Sequence, residues 1–442
     1  MHSLVERLLD GEQAREGVVG TSRARPPRSP GRPSRARSAT TSDYNRFGDR
    51  SNLALTQGAE ALTHTWGFDA RGRLEAASLP GSAPLFFTPF EDDTLETIEY
   101  ASGAASDFAY YPQGPVESIT LRAEGTTQQN RLAYGVNAVH SLTALSEQHA
   151  SADPVQAYGF GYDEANRLTA ANYPAAYGFT GNDAFDYDLA GNREDPDTAS
   201  LYDYDYDAGN RITASPGIGG YTHDADGNLT ARTAESFGYD FANRLKSFTN
   251  TLLSAGYAYD PFGRRIKKSV NGVTTWYLWD GDQLLAEYDG AGARTTRYAY
   301  AGGFAPVQVA YPDGPGSEAV YDVHSDHLDT PRLLTDAAST VVWREAHEAF
   351  GKAYPDDDPD GDLTEIRFNV RFPGQYFDEE SGLHYNRFRT YDPVTGRYLE
   401  ADPIVTAPSG NVFLYALANP LRWIDALGLS ACDAFVNGLV AQ

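Results

Sequence analysis

The stretch Tyr162–Leu168, YDEANRL, decides the fold, because it recurs along the chain. YDLAGNR begins at Tyr187, YDAGNRI at Tyr206, HDADGNL at His223, YDFANRL at Tyr239, YDPFGRR at Tyr259 and YDGAGAR at Tyr288, at successive spacings of 25, 19, 17, 16, 20 and 29 residues. Weaker copies precede them: FDARGRL at Phe68, YPQGPVES at Tyr111 and YGVNAVHSL at Tyr134. Self-similarity at such periods marks a repeat architecture, in which the chain grows lengthwise without adding domains. In each copy Tyr ends a strand with a large ring, and Asp turns the chain by accepting backbone N–H groups ahead of it. Gly or Asn supplies the positive φ of a tight hairpin. Arg or another polar residue follows, and Leu or Ile opens the next strand. One hairpin is marginal alone in water, whereas stacked hairpins cover one another's edges and build one long sheet.

Around these copies, from about Tyr44 onward, aromatic and β-branched residues alternate with polar ones, punctuated by Gly, Asn and Asp. This is the pattern of short antiparallel strands, and helical periodicity is nearly absent. The expected class is all-β. A row of tyrosines could offer sugar rings a stacking platform, but strand packing with a satisfied hydroxyl is the commoner use of such a row.

Composition narrows the function. The net charge is −26, and residues 1–40 carry eight Arg against four acids, so the remainder carries −30. An acidic body argues against nucleic-acid binding by phosphate neutralisation, which needs a basic face. Gly20–Thr40 is Arg, Pro and Ser without apolar periodicity and is expected to be disordered. The single Cys432 permits neither an intrachain disulfide nor a thiolate metal cluster. No apolar run is long enough for a transmembrane helix. The N-terminus, MHSLVERLLDGEQAREG, lacks the basic start and apolar centre of a Sec-type signal peptide.

Downstream, HSDHLDTPRLLTD (His324–Asp336) and RFPGQYFDEESGLHYNRFRTYDPVTGRYLEADPI (Arg371–Ile404) accompany the Tyr-Asp units. Together these segments resemble the YD-repeat (Rhs) superfamily of bacterial Rhs proteins, toxin-complex C subunits and teneurins. The likeness is strong over residues 155–429, weak over 44–154 and absent from the first 40. It implies a spiral β-sheet forming a shell, here a partial one, with the Rhs-associated core as a C-terminal plug. The expected organisation is a disordered extension over 1–43, the hairpin array over 44–320, the plug over 321–429 and a short variable tail over 430–442.

In bacterial members the shell holds a C-terminal toxin, and in better-studied members the plug region cuts that toxin free by aspartyl autoproteolysis. Such chemistry needs two carboxylates sharing a proton, one of which takes a proton from the attacking water. The resemblance places the pair at Asp402 (in Asp402-Pro403) and Asp425 (in IDALGL), 23 positions apart, with Arg389 assisting and cleavage between Leu429 and Ser430. Two places depart from the family pattern: Ala426 stands where Pro is common, and the glycine-rich link is altered to IVTAPSG (Ile404–Gly410). Asn419-Pro420 reads as a helix start and Gly428 as its stop, which would put Asp425 in the last turn of a short helix.

Other constellations carry less. His324, His327 and His347 invite a zinc reading, but the first two belong to the family signature and are expected to serve hairpin structure. Asp356, Asp358, Asp360 and Gly361 resemble the start of a calcium loop, yet the twelfth position holds Arg367 rather than a carboxylate. No cofactor is expected, and neither a phosphate loop nor a GxSxG elbow is present. The resemblance implies a toxin cargo, an immunity protein or secretion-apparatus proteins as partners. It implies export by a non-Sec route, to the cell surface or beyond, with a cytoplasmic stage before export. The alternative is a non-catalytic surface scaffold or truncated remnant that binds carbohydrate or protein. Only thirteen residues follow Leu429, too few for an enzyme domain, and about ten recognisable hairpins make a short wall. The carrier reading therefore expects a longer gene or partner chains completing the shell.

Overall fold

The structure is a computed structural model that describes residues 39–433, apart from 47, 58–59, 79–81, 124–126, 180, 195–203, 216–218, 405–409 and 430. The greater part of the predicted N-terminal extension, and the tail beyond 433, lie outside the described residues, as does Ser430.

Each repeat is locked locally and then to both neighbours. In YDEANRL the Asp163 N–H donates to the Arg167 carbonyl (3.0 Å) and the Asn166 N–H to the Asp163 carbonyl (3.0 Å). Asp163 Oδ1 accepts the N–H groups of Ala165 and Arg167 at 2.9 and 2.8 Å, and Oδ2 accepts Arg167 Nε at 2.7 Å. Asn166 is left-handed (φ 61°), as are Asn210, Asn243, Gly191, Gly227 and Gly263 at the same place in other units. Asn and Gly are the residues for which that conformation is least costly. Tyr162 then reaches back, its hydroxyl donating to the Leu142 carbonyl (2.6 Å), while Arg167 reaches forward to the Asp188 carbonyl (3.0 Å). Tyr187 to Leu168, Tyr259 to Leu245 and Arg264 to Gly281 repeat these links. At Tyr162, Tyr187, Tyr206, Tyr239 and Tyr259 the ring is thus strand packing with a satisfied hydroxyl.

Stacking such units gives two large antiparallel sheets with every strand paired to its sequence neighbour. One has 13 strands, from Ala39–Tyr44 to Asp183–Ala184, and the other 16, from Asp205–Tyr206 to Ala353–Asp356. Two expected boundaries move. The strand Ala39–Tyr44 pairs with Arg50–Gln57, so the array starts ahead of residue 44. The second sheet continues unbroken through Glu318–Ser325, Pro331–Thr335 and Val341–His347, so His324–Asp336 is wall and not plug. Its Asp326 turn has the same bonds as any Tyr-Asp unit, accepting the N–H groups of Leu328 and Thr330.

The sheets bring their apolar faces together, with early strands meeting strands more than 180 residues later. Leu53 shares a core with Tyr298, Val309 and Trp343. Phe87, Leu95 and Ile98 pack with Ala299, Val307 and Leu333. Trp66 Nε1 donates to the Tyr300 carbonyl (2.9 Å), and buried Arg332 pairs with Glu147 (3.2 Å). The wall therefore turns back on itself.

The plug has its own four-stranded sheet, Tyr376–Asp378, Leu383–Asn386, Arg389–Asp392 and Arg397–Tyr398. Every residue of the two central strands is buried, with the wall cores over one face and Phe372, Tyr415 and the Asp425 turn over the other. Tyr376 and Tyr385 enter the Leu53 core, and Leu383 and Leu399 enter the core around Phe248. Plug carboxylates Asp378 and Asp392 pair with the wall's Arg265 and Arg232.

Candidate functional site

The site lies where the plug's sheet meets the chain's last described turn. Arg389 opens the strand Arg389–Asp392, and its guanidinium is buried over the Tyr398 ring, 3.5 Å from the centroid. One nitrogen, Nη2, faces both predicted aspartates: Asp425 Oδ2 at 2.9 Å and Asp402 Oδ2 at 3.4 Å. Arg389 Nε donates to the Gly428 carbonyl (2.6 Å) and Nη1 to the Val412 carbonyl (3.2 Å). The guanidinium thus gathers two carboxylates and the backbone one residue before Leu429.

Asp425 is 2% exposed. Its Oδ2 also accepts the Tyr398 hydroxyl (2.8 Å), and its Oδ1 accepts the Leu429 N–H (2.8 Å). Burial and the Asp425 carboxylate hold the Tyr398 hydroxyl well above its ordinary pKa, so it stays a donor. Asp402 is partly buried, its N–H donating to the Val412 carbonyl (3.0 Å) and its Oδ1 accepting the Ile404 N–H (2.8 Å). That last bond closes a turn at Asp402-Pro403.

The expected helix before Asp425 is absent. Asn419 does not cap one: its side-chain amide donates to the Asn166 carbonyl (2.8 Å) and contacts Ser141 Oγ (3.3 Å), both in the first sheet. Ala416–Ala418 form one short turn with positive φ throughout, and Trp423–Ile424 is a strand paired with Cys432–Asp433. Asp425 instead follows a strand, in a turn fixed from outside. The Phe388 N–H donates to the Leu427 carbonyl (3.2 Å), and Asn386 Nδ2 donates to the Asp425 carbonyl (2.8 Å). A Cβ on Gly374 would lie 1.9 Å from the Ala426 carbonyl oxygen, so the two backbones touch there. Gly428 is left-handed (φ 68°), as the stop signal implied, although it closes a turn and not a helix.

Tyr398, Asn386 and Gly374 were missed as site residues. They carry no chemical signature in one dimension, and only the plug's folding brings them to Asp425.

The histidines do not converge on a metal. His324 Nε2 bonds Thr335 Oγ1 (2.8 Å), His327 Nε2 the Leu421 carbonyl (3.2 Å) and His347 Nδ1 the Glu348 carbonyl (3.0 Å). Burial lowers all three pKa values, that of His324 to about 3 and that of His347 to about 4. Asp358, Asp360 and Asp362 come together at a solvent-facing turn, whereas Asp356 pairs with Arg344 (2.7 Å).

A stacked-hairpin wall around a plug whose arginine gathers two aspartates defines a YD-shell protein. A family model described as Teneurin YD-shell matches residues 129–417. The toxin protein Tse5 of Pseudomonas aeruginosa is 32% identical over 409 residues, covering 77% of this chain and 29% of Tse5. Double-stranded DNA deaminase toxin A of Burkholderia cenocepacia is 31% identical over 249 residues, 48% of this chain and 17% of that protein. The probable deoxyribonuclease RhsA of Dickeya dadantii is 35% identical over 190 residues, 41% of this chain and 13% of that protein. Among solved structures, the TcdB2-TccC3-Cdc42 crystal structure superposes with a TM-score of 0.72 at 16% identity, over 92% of this chain and 22% of that one. The chain belongs to the YD-repeat (Rhs) family of YD-shell proteins, a family that includes bacterial toxins. It spans less than a third of the length of these three relatives. Among the described residues, no helix is long and apolar enough to cross a membrane.

Proposed function

We propose that this chain is the wall-and-plug portion of a toxin carrier and that it cuts its own backbone between Leu429 and Ser430. The observation that carries the reading is the Arg389 junction. Two carboxylates share one guanidinium nitrogen, and that guanidinium and Asp425 also hold the Gly428 carbonyl and the Leu429 N–H. This arrangement around Gly428 and Leu429 supports a cut directly after Leu429.

In the reaction, one of Asp402 and Asp425 carries a proton while the other takes one from a water molecule as it attacks the Leu429 carbonyl carbon. The protonated partner donates to the carbonyl oxygen. As the tetrahedral intermediate collapses, the carboxyl that took the water's proton gives it to the Ser430 nitrogen, which leaves as an amine; a hydroxyl proton of the intermediate returns to the pair, and Leu429 ends as a carboxyl group that ionises. Arg389 keeps two acids together by offsetting their charge, and Tyr398 and the Leu429 N–H fix the Asp425 rotamer. Toxin cargo and use between competing bacteria draw support from the toxin names of the relatives, and an immunity partner from the family resemblance alone, as part of this proposal.

The test is the intact mass of the full chain beside Asp402→Asn. A wild type cut after Leu429 and an uncut variant support the reading. A wild type that stays whole favours the alternative, a non-catalytic scaffold.

A further inference from the structure

A third carboxyl group lies at the Arg389 junction. Glu400 is 2% exposed and lies two residues before Asp402. Its Oε2 accepts the N–H of Thr390, the residue directly after Arg389, at 2.7 Å. Leu399, next to it, donates its N–H to the Thr390 carbonyl (2.9 Å), so Glu400 takes over as acceptor where the backbone ladder ends. Its other oxygen, Oε1, is buried without a hydrogen-bond partner. A buried carboxylate with a free oxygen is costly if ionised, and keeping it neutral is the ordinary way to relieve that cost.

Charge count sharpens the point. Arg389 is the cation that faces this cluster, and the proposed chemistry already requires it to serve Asp402 and Asp425 with one proton between them. An ionised Glu400 would add a second negative charge against that one cation and would compete for the guanidinium. The other titratable groups facing Glu400 are Tyr239 and Tyr259 of the wall. Both hydroxyls are committed to wall carbonyls and held above their ordinary pKa by burial, so neither supplies a positive charge.

We infer that Glu400 is a positioning residue of the site, working in its neutral form: it holds the Arg389–Thr390 backbone in place and leaves the guanidinium to the two aspartates. Burial pushes its carboxyl up to about 7, against the opposing pull of Thr390 and Arg389, so ionisation falls within the physiological range. Self-cleavage should then slow as pH rises through about 7, when Glu400 ionises and draws Arg389 toward itself. The inference rests on the proteolytic reading above.

The experiment uses the full chain made by cell-free translation and shifted to buffers from pH 5.5 to 8.5, with intact and cut chains quantified by mass spectrometry. Wild type should cut several-fold more slowly at pH 8 than at pH 6. E400Q keeps an acceptor for Thr390 but cannot ionise, and should cut at one rate across that window. E400D restores a titrating group and should restore a slope. A wild type that is cut, with E400Q showing the same pH dependence, overturns the role of Glu400 and leaves the protease reading intact. So does an E400Q chain that melts like the wild type yet is not cut. A wild type uncut at every pH overturns the protease reading, and the Glu400 role with it.

Discussion

Substituting Gly374 tests the site without touching any of its acids. Gly374 is left-handed (φ 76°), and an alanine Cβ there would lie 1.9 Å from the Ala426 carbonyl oxygen and 2.7 Å from its carbonyl carbon. Forcing an alanine into that conformation costs about 1–2 kcal/mol. Ordinary contact also requires the 425–428 turn to retreat by about 1.5 Å, and a misplacement of about 1 Å in a reacting geometry already costs about 100-fold in rate. Gly382 is the control: its φ is 70°, but nothing lies within 4 Å of its Cβ position. Gly382→Ala should therefore lower stability by the same 1–2 kcal/mol and leave cleavage unchanged, while Gly374→Ala lowers cleavage about 100-fold. Time courses of intact mass, with thermal melts of both variants, read the two effects separately. Equal cleavage by Gly374→Ala and wild type would refute the claim that the Gly374–Ala426 contact sets the position of the scissile turn.

Further predictions concern the wall. Tyr259→Phe deletes the 2.6 Å bond to the Leu245 carbonyl and should destabilise the chain by about 1–2 kcal/mol in denaturant titration, with cleavage unchanged. His324 is held neutral by burial, with its pKa lowered to about 3 from 6.5. The unfolded chain therefore binds a proton there first, so its contribution to stability is complete above pH 6.5 and is lost as pH falls toward 3. His324→Gln should remove up to about 1.4 kcal/mol per pH unit of that loss between pH 6 and 4, measured as the difference between wild-type and variant melts.

What was legible in the sequence was the chemistry that acts within five residues. Asp163, Asp240 and Asp260 each fold a turn from their own oxygens, and Asn166, Asn243 and Gly263 each supply its left-handed residue. Turns whose first residue offers no such acceptor were harder to see. Phe90 and Tyr100 occupy the Asp position of their units; Asp92 and Ser102 accept instead, from the N–H groups of Thr94 and Ala104, and Asp93 and Gly103 take the positive φ. At Tyr134 the register was read too early, because the turn belongs to Asn137, whose Oδ1 accepts the N–H groups of Val139 and Ser141.

At the site, resemblance to the family supplied Asp402, Asp425 and Arg389, and spacing alone would not have selected them. Local reasoning failed at Asn419-Pro420, where the helix cap was outcompeted by wall partners more than 250 residues away in sequence. Tyr398 reads as strand packing in the sequence, and it is that as well: it belongs to a core with Phe372, Tyr391 and Tyr415 while its hydroxyl serves Asp425.

The most direct measurement is the mass of the full chain after native purification, with sequencing of the new N-terminus. Cleavage between Leu429 and Ser430 in wild type, and its loss in both Asp402→Asn and Asp425→Asn at unchanged melting temperature, is the predicted result. A single uncut wild-type species, or cleavage that persists in both variants, would contradict it.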